Sequence, residues 1–536
     1  MNIARTINLK DLKNKYENFT LSKYYNASIF LIICMCYLFA REDIGFLILV
    51  IAIISNWILI DDMLPMILPL FGCCIIVLRL YNGWEKLVDF WPLLIWACVA
   101  LVFHIVYYRK EIKKSKLLLP LLATTVALFL GGVTNISAKD YFSFNSIYYI
   151  LGLGPLMLIF YFLFRHHLNP NRKYNTFDAI VDIANTIGGI VIVMLVIQYV
   201  QNIFLPIKAL GDMEKESAAV SKIINTHLQF GNNLSTVLLM VMPFAFYKAK
   251  KTKWLNYAYT TLGSLECLAM IFTMSRSGIL FSMMFIIFYM IYLFKDNKIR
   301  DKFKNILTFT LPLIITLIIL IVKRGYWKLI FKIAFNNMSL LQEEALVLLF
   351  AVVIIGIGLY AYIDLIHKNP KKRSNILMIT EIVIISFIAI LVLFWKYLFG
   401  ALSQLGEARV EMANIAVQNL FKHPLFGTGM GYTGMHDIYK PHGLMLNSYH
   451  CVVLQIIGSM GMVGILAYGY AFHKKYELLF KVDDKKFSYF ILPIIGLHAM
   501  SIINPGIMMP LPYAMFEILI LAVAENYLDR KAAKFI

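Results

Sequence analysis

Charge is what this chain has least of. Only 15% of its 536 residues are Asp, Glu, Lys or Arg, while 60% are hydrophobic. A soluble domain carries about 25% charge and about 45–50% apolar residues, so the deficit excludes an ordinary soluble protein. The mean hydropathy of +0.72 agrees. No low-complexity tract, internal repeat or soluble domain interrupts the sequence. Cysteine pairs with metal-ligand spacing are also missing. Cys34, Cys36, Cys73, Cys74, Cys98, Cys267 and Cys451 fall in or beside apolar segments, as small buried hydrophobes do. That excludes a zinc site and a disulfide framework. The first twenty residues, with Lys10, Lys13 and Lys15, are too polar for a secretory h-region. The apolar run after them has no small-residue cleavage site and reads as a retained first helix behind a basic tail.

What is present is a series of long apolar runs separated by short charged clusters. Runs of about 18–25 residues match the roughly 30 Å hydrocarbon core at about 1.5 Å per residue. The 14% aromatic content fits interfacial belts of Trp and Tyr as well as helix packing. The expected fold class is all-α, a polytopic transmembrane helix bundle of about 12–16 spans with a long extracytoplasmic loop. Candidate spans are 24–40, 42–60, 64–81, 88–108, 115–132, 144–165, 177–203, 230–249, 254–273, 276–295, 304–322, 344–366, 374–398, 446–472, 486–504 and 508–527.

The net charge of +19 raises nucleic acid as a partner. A nucleic-acid binder would gather its Lys and Arg on one polar face. Here they lie between apolar segments, in clusters such as RKEIKKSK (109–116), KAKKTK (248–253), KDNKIRDKFK (295–304) and HKNPKKR (367–373). With a cytoplasmic N-terminus, about 34 of the 50 Lys and Arg fall on the cytoplasmic side, as the positive-inside rule expects. Nucleic acid is therefore excluded and membrane lipid expected. The same register returns the C-terminus to the cytoplasm. It leaves 204–229, the bend at 273–277 and the long loop 399–445 outside. The last is the longest polar segment, and loops of that length without structure of their own are often functional.

Arg276 and Arg409 lie on that outer side. A guanidinium matches phosphate with bidentate geometry and stays charged at any working pH. Snorkelling, or pairing of Arg409 with Glu407 or Glu411, explains them equally. The loop continues through His423-Pro424-Leu425-Phe426-Gly427-Thr428-Gly429-Met430-Gly431, where the glycines suit either a backbone approach to an anion or a tight turn. No βαβ unit surrounds them, so this is not a dinucleotide fingerprint. His450 follows Asn447-Ser448-Tyr449 near the outer end of a span. An ionisable residue there is either a candidate base or a histidine satisfied within the bundle. Gly458, Gly461 and Gly464, at intervals of three, read as a close-packing helix face. Asn232 and Asn233 are sugar or phosphate hydrogen-bonders, or caps of the helix that starts there.

In order along the chain, these residues resemble the bacterial O-antigen ligase and O-antigen polymerase family. Phe230-Gly231-Asn232-Asn233 with Pro243 is similar to its N-x-N helix, and Ser275-Arg276-Ser277-Gly278 to its Ser-Arg helix start. Arg409-Val410-Glu411 followed by His423-Pro424-Leu425-Phe426-Gly427-Thr428-Gly429 resembles its R-x-E … G-x-G loop. His450 with Leu454-Gln455 and Gly461 to Gly464 resembles its H-N-x-x-L-Q … G-x-x-G helix, with Cys451 standing where the family has Asn. The resemblance covers roughly 226–470 and divides the chain into N-terminal helices (1–225), a catalytic core (226–475) and C-terminal helices with a cytoplasmic tail (476–536).

The resemblance implies a GT-C-like, inverting glycosyltransferase of the cytoplasmic membrane. Its donor would be an undecaprenyl-pyrophosphate-linked oligosaccharide and its acceptor a glycan or lipid-linked glycan, with room for a chain-length regulator as partner. Arg276 and Arg409 would hold the pyrophosphate and His450, with His442 as the second choice, would be the base. Asn232, Asn233, Ser275, Ser277, Glu411, His423, Gly427, Gly429, Asn447 and His442 would contact substrate. Such enzymes need no metal or cofactor, and no DxD-type pair lies on the outer side, Asp61-Asp62 being cytoplasmic in this register. The shared motifs fit a polymerase or a ligase. An excess of Lys over Arg and abundant Ile hint at an AT-rich genome, which leans towards a capsule or wall-polymer polymerase. A flippase for the same lipid-linked sugars is the rival from another class.

Overall fold

The computed structural model describes residues 9–79, 88–135, 144–168, 176–203, 231–251, 256–272, 408–430, 451–482, 488–502 and 511–533, with Tyr449, Met508 and isolated stretches within 278–315 and 357–386. Every regular element among them is helical, and no strand occurs among the described residues. They form two compact units, one from Met1–Ile112 with His166–Ile357, the other from Lys113–Arg165 with Gly358–Ile536. The units cut across the segment 226–475 marked out by the motifs.

In chain order the first unit begins with α1 (Leu9–Thr20), α2 (Lys23–Leu38), α3 (Glu42–Leu59), α4 (Leu64–Arg79) and α5 (Trp91–Tyr107). Part of the basic tail is therefore itself helical, and the helix from Lys13 to Thr20 meets α2 at a 72° bend. Ser22 caps α2, its hydroxyl accepting from the Tyr25 amide at 3.4 Å. Glu42 and Asp43 stand in the first turn of α3, where negative charge favours the helix dipole. Tyr16 and Tyr25 both bond the buried Asn56 side chain, at 2.9 and 3.0 Å, which ties α1 and α2 to α3.

The second unit opens with α6 (Leu118–Leu130) and then α7 (Phe144–Leu151) and α8 (Met157–His166). A π-helical segment at Gly152–Leu156 joins α7 to α8. Pro155 sits in that segment, and a widened turn accommodates a residue that cannot donate a backbone hydrogen bond. The first unit resumes with α9 (Thr176–Ile203), α10 (Gly231–Lys251) and α11 (Asn256–Phe272), which pack on one another, with α2 and α4 also against α9. The second is completed by α12 (Ala408–Lys422), α13 (Val452–Lys481), α14 (Ser488–Ser501) and α15 (Leu511–Ala533).

Among the described residues, five helices are long and apolar enough to cross a membrane: Glu42–Leu59, Ser146–His166, Thr176–Ile197, Val452–Lys481 and Leu511–Lys531. They coincide with five of the expected spans. Leu118–Leu130 and Tyr489–Ser501 are also apolar but shorter than the expected spans 115–132 and 486–504. The first of these stops because the chain turns at Gly131 and Gly132, the latter at φ +73°. Apolar side chains also face outward. On α5 only Ala100 and His104 are buried, while Trp96, Val99, Val102 and Val106 are exposed. An apolar helix face of that extent fits lipid rather than water.

Buried charge in the second unit is consistently paired. Arg165, fully buried, ion-pairs with Glu525 and Asp529 and bonds Asn526 and the Lys114 carbonyl. Lys475 of α13, His498 of α14 and Glu517 of α15 form a second cluster, with Lys475 Nζ and His498 Nε2 each 2.9 Å from Glu517 Oε1. Tyr476 meets the other ring nitrogen of His498 at 2.6 Å.

Candidate functional site

The segment expected to be a loop, 399–445, carries a helix: α12 runs from Ala408 to Lys422. Its Met412 and Ala416 form a small buried cluster with Tyr449, against which Ile415 and Leu454 pack. Spacing explains the face, since 412, 416 and 419 recur at helical intervals. Asn419, on the same face, donates from Nδ2 to the Tyr449 hydroxyl at 2.7 Å. The backbone N–H of Tyr449 donates to Gln455 Oε1 at 3.0 Å, and Gln455 Nε2 donates to Ser459 Oγ at 2.7 Å. Gln455 and Ser459 are both fully buried. Tyr449 is thus fixed at its ring, its hydroxyl and its amide, just ahead of the start of α13.

Gly458, Gly461 and Gly464 do more than thin one helix face. Gly461 has φ +58° and ψ −147°, a conformation essentially restricted to glycine, and it breaks α13 in two. A helix break strands carbonyls on one side and amides on the other. The turn from Pro424 to Gly429 supplies partners for both. Thr428 and Gly429 donate to the Gly458 and Ser459 carbonyls, each at 2.9 Å. The Pro424 and Leu425 carbonyls accept from the amides of Met462 and Val463, at 2.9 and 3.1 Å. Phe426 O also accepts from Gly132 N at 2.7 Å, which attaches the turn at the end of α6.

This arrangement decides between the two readings of the glycine-rich loop. Gly427 and Gly429 have φ +61° and +101°. Gly427 N donates to the His423 carbonyl at 2.9 Å, so the amides of 427, 428 and 429 are all engaged with protein carbonyls. A tight turn, rather than a backbone cradle for an anion, is what these glycines build. A Cβ at Gly427 would collide with the Ser459–Met460 backbone, and one at Gly461 would come within 2.6 Å of the Pro424 oxygen. Gly458 leaves room for the Tyr449 ring, 2.8 Å from where its Cβ would stand.

The other expected site residues are distributed as follows. His423 is half-buried, its Nδ1 3.5 Å from Thr134 Oγ1. Arg409 and Glu411 belong to the first turn of α12. Asn232 and Asn233 lie inside the first turn of α10, one and two residues past its start at Gly231, rather than at its cap. They belong to the first unit, whereas α12, the turn and α13 belong to the second. Ser275, Arg276, Ser277, His442, Asn447 and His450 lie outside the described residues. Asn419 and Thr134 were not singled out from sequence. The signal for Asn419 was its register with Met412 and Ala416 on an amphipathic helix hidden in a segment read as loop.

No group of three or more His, Cys, Asp or Glu side chains is arranged to hold a metal among the described residues. No family model, characterised protein or solved structure matches this chain.

Proposed function

We propose that this protein is a membrane glycosyltransferase that polymerises undecaprenyl-pyrophosphate-linked glycan repeats at the outer face of a bacterial cytoplasmic membrane. Ligation of finished glycan to another acceptor by the same chemistry is the close alternative. The observation that supports this reading is the packing of Met412 and Ala416 on Tyr449. Arg409 stands three residues before Met412 on the same helix, and His450 follows Tyr449 directly. In sequence the two residue types that the chemistry needs therefore stand within three positions of residues that share one buried contact.

In this reading the guanidiniums of Arg409 and Arg276 bind the donor pyrophosphate. His450 accepts the proton of an acceptor hydroxyl, whose oxygen attacks the anomeric carbon from the face opposite the leaving group. The glycosidic bond to pyrophosphate breaks, and the negative charge that grows on the leaving phosphate is stabilised by the arginines. Asn232, Asn233, Ser275, Ser277, Glu411, His423, His442 and Asn447 remain candidates for substrate contact.

The test uses purified protein in nanodiscs with a lipid-linked repeat unit, alone and with candidate acceptors, and resolves products by size. A ladder from the repeat unit alone, lost in His450→Ala, Arg276→Ala and Arg409→Ala, is the expected result. Transfer only when a second acceptor is supplied would make the protein a ligase. The break at Gly461 favours a second reading, because transporters also build their sites at discontinuous helices. Movement of lipid-linked sugar across liposome bilayers without any turnover would replace the enzyme with that transporter.

A further inference from the structure

Where α9, α10 and α11 pack together, Glu266 has no exposed surface, and neither oxygen of its carboxylate has a hydrogen-bond partner among the described residues. It lies on α11 ten residues after Asn256, about 15 Å along the helix. Its Oε1 occupies the notch above Gly188 on α9, where a Cβ would collide with it. Asn185, one turn earlier on the same face of α9, is 6% exposed. Its Nδ2 donates to the carbonyls of Val181, at 2.9 Å, and Phe244, at 3.4 Å, while its Oδ1 has no partner. The described cation on these helices, Lys248, is committed to Asp182 at 2.5 Å. Asp178, the remaining acid here, receives the Tyr247 hydroxyl at 3.4 Å.

Three buried oxygens thus lie where these helices pack, one helical turn apart along α9, with no donor among the described residues to meet them. An uncompensated carboxylate in apolar surroundings costs several kcal/mol. Buried polar groups left without partners in a native protein call for an ion, a water or a function to explain them. Both α9 and α11 read as membrane-crossing in sequence, and an ionisable side chain at such depth is a functional candidate. A ligand that brings positive charge and no acceptor of its own satisfies all three oxygens at once. Hard, weakly polarising cations prefer an oxygen-only set of this kind.

We propose that Glu266 and Asn185, over the notch at Gly188, form a binding site for a monovalent alkali cation of sodium size. The site belongs to the first unit and is independent of any glycan chemistry. Sodium and protons compete for the Glu266 carboxylate, so occupancy rises with sodium and falls with acidity. Asn185 adds a neutral oxygen and tunes affinity.

The experiment treats the full-length protein in nanodiscs with dicyclohexylcarbodiimide, which modifies protonated buried carboxyls, and reads labelling at Glu266 by peptide mass spectrometry. Sodium is raised from trace to about 100 mM at constant ionic strength, with choline as the balancing cation and potassium in a parallel series. The expected result is labelling that falls about tenfold with sodium, with half-protection moving to higher sodium as pH is lowered. Asn185→Ala should shift half-protection to higher sodium. A sodium-dependent rise in melting temperature should be present in the native chain and absent from Glu266→Gln. Labelling that responds to pH and ignores sodium would overturn the proposal in favour of a proton site. A carboxyl that neither labels nor shifts the melting temperature with sodium would also overturn it. Should Glu266→Gln fail to fold, the labelling series on the native chain decides alone.

Discussion

The two units solve the same physical problem in opposite ways. In the second, the described helix break and the described buried charges are met by partners inside the protein. The break at Gly461 is spliced by the 424–429 turn, and Glu517 sits between Lys475 and His498. In the first, Glu266 and Asn185 keep oxygens without a hydrogen-bond partner among the described residues. A satisfied network specifies a unique geometry, which is what a site that positions reacting groups requires. An unsatisfied one is stable only when something exchangeable completes it. The contrast therefore separates a region built to hold a shape from a region whose charge state is open to solution conditions.

The most damaging way to break the comparison is to remove the splice. Gly461→Ala forces a Cβ into a backbone conformation reserved for glycine and against the Pro424 oxygen. We expect a loss of about 3 kcal/mol or more, seen as collapse of monodisperse protein in size-exclusion chromatography. Gly469→Ala, on the same helix with open space around it, is the control and should be neutral or slightly stabilising. A Gly461→Ala protein as stable as that control would show that the break is dispensable.

Next in size is the buried charge cluster. Glu517→Leu leaves Lys475 and His498 facing each other without their anion and should cost about 3–5 kcal/mol. The triple change Lys475→Met, His498→Leu, Glu517→Leu removes the whole cluster and should recover most of that loss, since apolar replacement of a whole buried cluster is often near neutral. Thermal melts of the two variants measure the difference. If the single change is harmless, pairing in the second unit is decorative and the contrast fails.

The smallest effect sharpens the comparison at a third place, outside the membrane-crossing helices. His167 follows α8, and burial pushes its imidazole down to about 3 from an ordinary 6.5, with His104, Lys110 and His166 adding repulsion and Asp61 opposing them. Its ring lies 4.8 Å from that of His104. Below about pH 6.5 the unfolded chain takes up a proton that the folded His167 refuses, so stability falls as pH drops from 6.5 towards 3 and is flat above that window. The loss is on the order of a few kcal/mol at the acid end. His167→Gln should flatten the melting temperature between pH 6.5 and 4.5 relative to the native chain. An unchanged slope would move the effect to another group.

Reading the sequence was most successful where the signal is local. Low charge, long apolar runs and interspersed lysines point to a helical membrane protein, and the starts of α2, α3, α4 and α9 fall within one residue of expectation. Hydropathy works because each helix closes its own backbone hydrogen bonds and needs only length and apolarity to cross lipid. Of the candidate site, Arg409 stood out by residue type, Glu411 and His423 by the family resemblance, and Gly427, Gly429 and Gly461 by their spacing. What the glycines do was not legible, because a turn and an anion cradle use the same residues.

Composition and periodicity by themselves determined that this chain is all-helical and built for a membrane, since both depend on neighbours within one helix. Tertiary structure alone decided that α13 is broken and splinted by a turn some thirty residues earlier in the chain. It also decided that Tyr449 is anchored by Asn419 and Gln455, and that Glu266 lies buried over Gly188. Those outcomes depend on which hydrogen-bonding groups meet across distant segments, and no local pattern of residues carries that information.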